Sequence, residues 1–442
     1  IIEGETKYDM FAWDVARFGA WASKEFTKSR VGDQYAHRFS IHFPNEERSA
    51  GRPVRTRPIY QMQKDMGAVM GLNYGWEHPL WFAETPGVKD TNGFTRQNWF
   101  EPVGKECKML REKAGIIDIS NFAKYVVQGK KGRDWLDAVF ANKMPTEVGR
   151  SCLTPLISRR GGLAGDFTVT LIAQDEYWIF GSGMAERYHK RFFDSVPLPE
   201  GVRFDSRTEA VCGFNLAGPL SRKILQRLTN TSLNNQDFQF MRSKCADLAG
   251  IDVKMLRVSF TGDLGWEVHC NTADQKALYT ALLETGKEFG VGPVGSRALM
   301  AMRVEKGYGS WSREYSPEYW PHEQGMDRLC KMDKDFLNKA ALQAVLAQEP
   351  REQMVLLHLN EAAVTASNAD ATGGEPVFKD GNGVGRVTSG AYGYSVGLSL
   401  ALAMVKDVGP GDEVEVMVLG QPHKAKILHQ PPFDPTGKKL RA

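Results

Sequence analysis

No Cys-x-x-Cys pair occurs in this chain, although it carries six cysteines, at 107, 152, 212, 245, 270 and 330. Their scatter excludes zinc ribbons and thioredoxin-type exchange and suits a reducing compartment. Long apolar runs are missing too. A membrane span needs ~20 such residues, and the longest candidate, within Gly397–Val405, is too short. No strand–GxGxxG–helix dinucleotide site is present, since Gly292-Pro293-Val294-Gly295 does not fit the pattern. A G-x-S-x-G elbow is absent as well; Gly181-Ser182-Gly183 lacks its frame. His269-Cys270 has no further ligand at useful spacing, so no metal site is expected. Nor is there an excess of one charge. The 56 basic and 53 acidic residues leave +3, which argues against a nucleic-acid binder but not against a local basic pocket.

What is there suits a globular protein. The chain has 442 residues, 42% hydrophobic and 25% charged, enough for two or three domains with real cores. It opens on Ile-Ile-Glu-Gly without Met or a signal-peptide pattern, and reads as part of something longer or as a processed subunit. Apolar spacing predicts a helical stretch over Met10–Phe26, then a basic extended segment from Gly51 to Pro58. Gly71–Pro86, rich in Trp, Gly and Pro, reads as a packed linker. From about Pro102 strands and helices mix in an order that predicts α+β layers. After Pro350 short strands split by Gly, Asp and Pro turns predict a terminal β-barrel or sandwich.

Two glycine-punctuated turns carry chemistry. In Phe260-Thr261-Gly262-Asp263-Leu264-Gly265-Trp266-Glu267-Val268 the glycines permit a tight reversal that delivers Glu267 and Trp266 to a strand. A carboxylate fixed there can accept parallel N–H bonds from a flat heterocycle such as a pterin edge. A hairpin with an exposed Glu is the plainer alternative. In Gly161–Val169, Asp166 stands at a strand mouth, where desolvation would raise its pKa above ~3.9 and suit proton transfer; an Asx-turn is the alternative. Arg297 opens a helix over Ser296–Glu305, placed to bind an anion or simply to solvate the helix end.

Together these segments resemble the glycine-cleavage T-protein (aminomethyltransferase) family, and within it the folate-binding half of the flavin-linked dimethylglycine and sarcosine dehydrogenases. The supporting text is GIIDISNFAKYVVQG (115–129), GGLAGDFTV (161–169), YWIFGSG (177–183), FTGDLGWEV (260–268), AMRVEKGYGSW (301–311), EPVFKDGNGVGRVTSGAYGYSVGLSLALA (375–403) and PPFDPTGKKLR (431–441). Upstream, IIEGE (1–5), YDMFAWDVARFGAW (8–21), GRPVRTRPIY (51–60) and GWEHPLWFA (75–83) resemble the end of the flavin half and its junction.

The resemblance implies an α+β fold of T-protein-like folate-binding domains around a central channel, followed by a β-barrel. It divides the chain into a flavin-domain tail and linker (1–85), a folate-binding domain (86–345) and a barrel (346–442). It implies tetrahydrofolate as the one-carbon acceptor and FAD in an upstream half or partner subunit. The unit transferred would come from an N-methyl amine as an iminium or as formaldehyde. By position, Asp166 matches the acid near the reactive folate nitrogens, Glu267 the acid that grips the pterin, and Arg297 a folate-contacting Arg. Trp266 and Phe260 complete the expected binding set. Two departures stand out: Gly165 precedes Asp166 where T-proteins often pair two acids, and Phe260 replaces a common Tyr. The resemblance further implies a homo- or hetero-oligomer in the cytoplasm, or in the mitochondrial matrix of a eukaryote. A stand-alone folate-dependent demethylase and a non-catalytic folate-binding module are the competing readings.

Overall fold

A computed structural model of the protein describes residues 10–442. The IIEGE opening and the first two residues of YDMFAWDVARFGAW lie outside the described residues. Two antiparallel-rich sheets and a closed barrel organise the rest.

The first sheet has six strands in the spatial order Arg242–Leu248, Ile251–Arg257, Gly265–Asn271, Val211–Ala217, Gly115–Asp118, Gly292–Val294. Only its last pair is parallel. The second sheet orders five strands as Ser151–Ile157, Leu163–Ala173, Glu176–Gly181, Ala123–Gln128, Arg203–Ser206. Period-two alternation gives each sheet one face buried against helices. Cys212, Phe214, Leu216, Trp266 and Val268 pack with Leu278, Tyr279 and Leu282 behind the first sheet. Tyr125, Phe167, Val169 and Ile179 pack with Trp135, Leu136 and Phe193 behind the second. The opposite faces meet each other. Val126, Ile172, Trp178 and Phe180 of the second sheet cluster with Val211 and Leu256 of the first, and Thr170 Oγ1 hydrogen-bonds Ser243 Oγ at 2.5 Å.

The barrel closes in the order Gln353–Leu359, Leu398–Val405, Asn382–Gly393, Pro376–Lys379, Glu413–Val418, Gln421–Ile427. The helix Ser296–Glu305 forms with the bounds expected from sequence and packs against it. Glu314 fixes the joint: buried beside Arg303 at 2.8 Å, it also accepts from Thr388 Oγ1 at 2.7 Å.

Two expectations fail. The Met10–Phe26 stretch is not one helix but two short 3-10 turns, Phe11–Trp13 and Val15–Arg17, with the α-helix running Lys24–Ala36. Its periodic aromatics serve different partners: Phe11 is buried against Tyr188 and Trp311, whereas Trp13 is 80% exposed. Ser23 Oγ then accepts from Phe26 N–H at 3.2 Å and starts the true helix. Gly71–Pro86 is no linker but mostly a hairpin, Ala68–Asn73 and Trp76–Phe82. Tyr74 and Gly75 both take positive φ (49° and 87°), as a two-residue hairpin turn of this hand requires. Leu80 and Trp81 pack with Val103, Cys107 and Ala298.

Candidate functional site

The parity of two strands decides which side chains share a space. On Leu163–Ala173, Phe167, Val169 and Leu171 face the helices, so Asp166, Thr168 and Thr170 face the gap between the sheets. On Gly265–Asn271, Trp266, Val268 and Cys270 face the core, so Glu267 and His269 face the same gap. Phe180 joins the two surfaces. It is register partner to Thr168 and stacks on His269 at 4.6 Å.

Asp166 sits inside its strand, opposite Pro155, rather than at a strand mouth. Burial pushes its carboxyl up to about 6. Tyr315 is close by: its hydroxyl is held well above its usual range by burial and then by the Asp166 carboxylate. Behind Gly165 lies His189, fully buried, its Nε2 donating to Ala164 O at 3.1 Å and its pKa lowered by burial to about 3. A Cβ at position 165 would stand 2.8 Å from that nitrogen, so glycine is required beside Asp166.

A stability test follows from linkage. An unfolded Asp titrates near ~3.9, so around pH 5 the native chain keeps a proton that the unfolded chain releases. The stability from this group is fully present below the unfolded value of ~3.9 and is lost as pH rises from there through about 6. Asp166→Asn is therefore expected to stabilise the protein at pH 8, by on the order of 1 kcal/mol, and less at pH 5. Urea denaturation at the two pH values checks both sign and window.

Glu267 lies between register partners Leu256 and Asn215. Its Oε2 is 3.3 Å from His269 Nε2, and its side chain keeps 15% exposure. Lys124, wholly buried in the second sheet, adds a cation nearby. It donates to Ser120 O at 3.0 Å and Phe122 O at 2.8 Å, and burial lowers its pKa to about 7, helped by Arg57.

Two of the other expected residues, Trp266 and Arg297, are engaged elsewhere. Trp266 is fully buried on the opposite face, edge-on to Phe238 and with Arg257 over its ring at 5.4 Å, because neighbouring strand residues point to opposite sides. It belongs to the core. Arg297 is tied bidentately to Asp90 at 2.8 and 2.5 Å and lies 5.0 Å over Trp99, so its charge is already matched. Phe260 stacks on Tyr308, ring centres 6.3 Å apart. Of the two turn glycines, Gly262 adopts φ +88°; Gly265 serves instead for close packing, since a Cβ there would stand 3.1 Å from Ala217 Cβ.

Sequence reasoning missed Arg111, which fixes the turn from the last part of the helix Phe100–Glu112. It donates to Thr261 O at 2.7 Å, to the Asp263 carboxylate, and to Glu305 at 2.7 Å. Lys124 did carry a signal, being a lone cation beside Ala123, Tyr125, Val126 and Val127. A cavity of about 540 Å³ lies elsewhere, where Arg313 and Tyr319 meet Gly373, Arg386 and Thr388, and none of the five expected site residues borders it. Among the described residues no helix is long and apolar enough to cross a membrane.

Comparison with known proteins agrees with this architecture. The GCVT N-terminal domain model matches residues 59–334, the glycine cleavage T-protein C-terminal barrel domain 353–434, and an FAD dependent oxidoreductase central domain 3–56. The chain belongs to the glycine cleavage T-protein family. Mitochondrial dimethylglycine dehydrogenase of Mus musculus is 33% identical over 98% of this chain and 50% of that protein. Mitochondrial sarcosine dehydrogenase of the same organism is 27% identical over 100% of this chain and 53% of that protein. The chain thus spans about half the length of the relatives it matches. The aminomethyltransferase T of Bartonella henselae shares the fold, with TM-score 0.74 at 21% identity over 86% of this chain and 98% of that one. The two relatives are named as dehydrogenases and the structural neighbour as an aminomethyltransferase.

Proposed function

We propose that this chain is the tetrahydrofolate-binding half, or a subunit, of a flavin-linked N-methyl amine dehydrogenase, and that it forms 5,10-methylenetetrahydrofolate. The observation that supports this best is the pair of carboxylates, Asp166 and Glu267, carried on facing surfaces of two sheets with different surroundings. Glu267 fits the donor edge of a pterin. It accepts only, and Oε1 has no hydrogen bond among the described residues. FAD in a flavin half would supply the oxidation of the amine to an iminium. Asp166 then takes the N–H proton released as a folate nitrogen bonds to the iminium carbon, and returns it to the amine nitrogen as the old C–N bond breaks. Two C–N bonds form to folate as the π and then the σ bond of the iminium C=N break, and no net oxidation or reduction occurs. Of the two protons lost from folate, one ends on the amine and one in solvent. A carboxyl of pKa about 6 can both accept and return a proton near neutral pH. Confinement of the iminium beside bound folate supplies a high effective concentration.

Binding is tested on Glu267→Gln by tetrahydrofolate titration. Loss of charge-assisted bonds worth about 1.5–3 kcal/mol predicts a Kd roughly 10- to 100-fold higher. An unchanged Kd would place the pterin elsewhere.

A further inference from the structure

His269 stands two residues beyond Glu267, so the same pleat turns both side chains into the gap. Its Nε2 lies 3.3 Å from Glu267 Oε2. The imidazole is itself immobilised. Phe180 stacks on it at 4.6 Å with 27° between the planes. Across the strand pair, Gly213 leaves it room, because a Cβ there would stand 2.5 Å from Nδ1. The ring is wholly buried while the carboxylate keeps partial access to solvent.

The chemistry of the contact sets the tautomer. An ionised carboxylate only accepts, so the ring proton belongs on Nε2. Nδ1 is buried without a partner; unprotonated, it leaves no N–H stranded in the packing. Burial is the main cause that disfavours a second proton; it outweighs the hydrogen bond and charge of Glu267, and Lys124 and Lys254 add to it. The ring is neutral, fixed and oriented.

We propose that His269 is a positioning residue for folate binding: its Nε2–H holds Oε2 of Glu267 and turns Oε1 toward the pterin. The role rests on the reading of Glu267 given above. Oε2 keeps a second lone pair, so the histidine restricts the carboxylate without consuming its capacity.

His269→Phe keeps a ring for Phe180 and removes the donor. Tetrahydrofolate titration of the protein is expected to give about a tenfold higher Kd, equivalent to one such hydrogen bond, with a matching rise in KM that exceeds any fall in kcat. His269→Gln, which restores an N–H, is expected to recover part of the affinity. On the unsubstituted protein, 15N NMR of the imidazole is expected to show a protonated Nε2 and a bare Nδ1 at pH 7. Wild-type affinity in His269→Phe alongside weakened binding in Glu267→Gln would overturn the positioning role and leave the folate site standing. Wild-type affinity in both would overturn the site as well. A protonated Nδ1 at pH 7 would also overturn the proposal.

Discussion

Asp166→Asn in the complete enzyme should lower 5,10-methylenetetrahydrofolate formation by roughly 10²- to 10⁴-fold, the range contributed by a general acid–base group. Asn fits the same strand position opposite Pro155 and carries no proton to exchange. Amine oxidation should continue, because it depends on a flavin half, and released formaldehyde should rise as folate product falls. Tetrahydrofolate affinity should hold, since the pterin grip is assigned to Glu267. In the active protein the folate-product rate should climb with pH through about 6 as the carboxyl ionises, and that limb should vanish in the variant. Equal product yields in variant and parent would sink the role of Asp166, because no other ionisable group in the gap has been assigned the proton.

The largest stability effect is expected at Arg111. Its side chain is 5% exposed and joins Asp263 and Glu305, with side-chain exposures of 3% and 0%, so removing it would leave two buried carboxylates unmatched. Such losses cost about 3–5 kcal/mol. It also donates to Ser395 Oγ at 3.0 Å and lies 3.5 Å over the Phe433 ring, so the barrel and the C-terminal segment feel the change. Arg111→Met should therefore lower the urea midpoint by far more than loss of an exposed pair such as Lys105–Glu84, which solvent screens. Tetrahydrofolate binding should weaken with it, because the Thr261 carbonyl and Asp263 anchor the turn that leads to Glu267. Circular dichroism during urea titration, paired with the folate titration, reads both effects. A midpoint unchanged within error would mean that the cluster is not needed to hold the turn.

Much of this was legible in one sequence because it is local. Strand alternation and turn residues marked both sheets and the barrel, and glycine before an apolar run located the helix Ser296–Glu305 within its observed bounds. The two carboxylates stood out because each lies just after a glycine-punctuated turn, Asp166 directly after Gly165 and Glu267 two residues after Gly265. Long-range pairing was not. Arg297 looked free for a ligand until Asp90, 207 positions away in the chain, was found to neutralise it. Arg111 reaches Asp263 across 152 positions, and no local pattern encodes that reach. Trp266 was misplaced for a simpler reason. Adjacent strand residues cannot share a face, so assigning Glu267 to the gap already assigned Trp266 to the core. The same rule puts His269 on the face of Glu267, a consequence the sequence reading did not draw.

That alternation makes the spacing of the 258–264 connection as important as its composition. Removal of one residue there would let the following strand slide by one position between its two neighbours, Ile251–Arg257 and Val211–Ala217. Trp266 would then turn outward and Glu267 inward, exchanging an indole for a carboxylate among Phe214, Leu216 and Phe238. A single-residue insertion or deletion is therefore tolerated only where the loop itself absorbs it and the strand keeps its register.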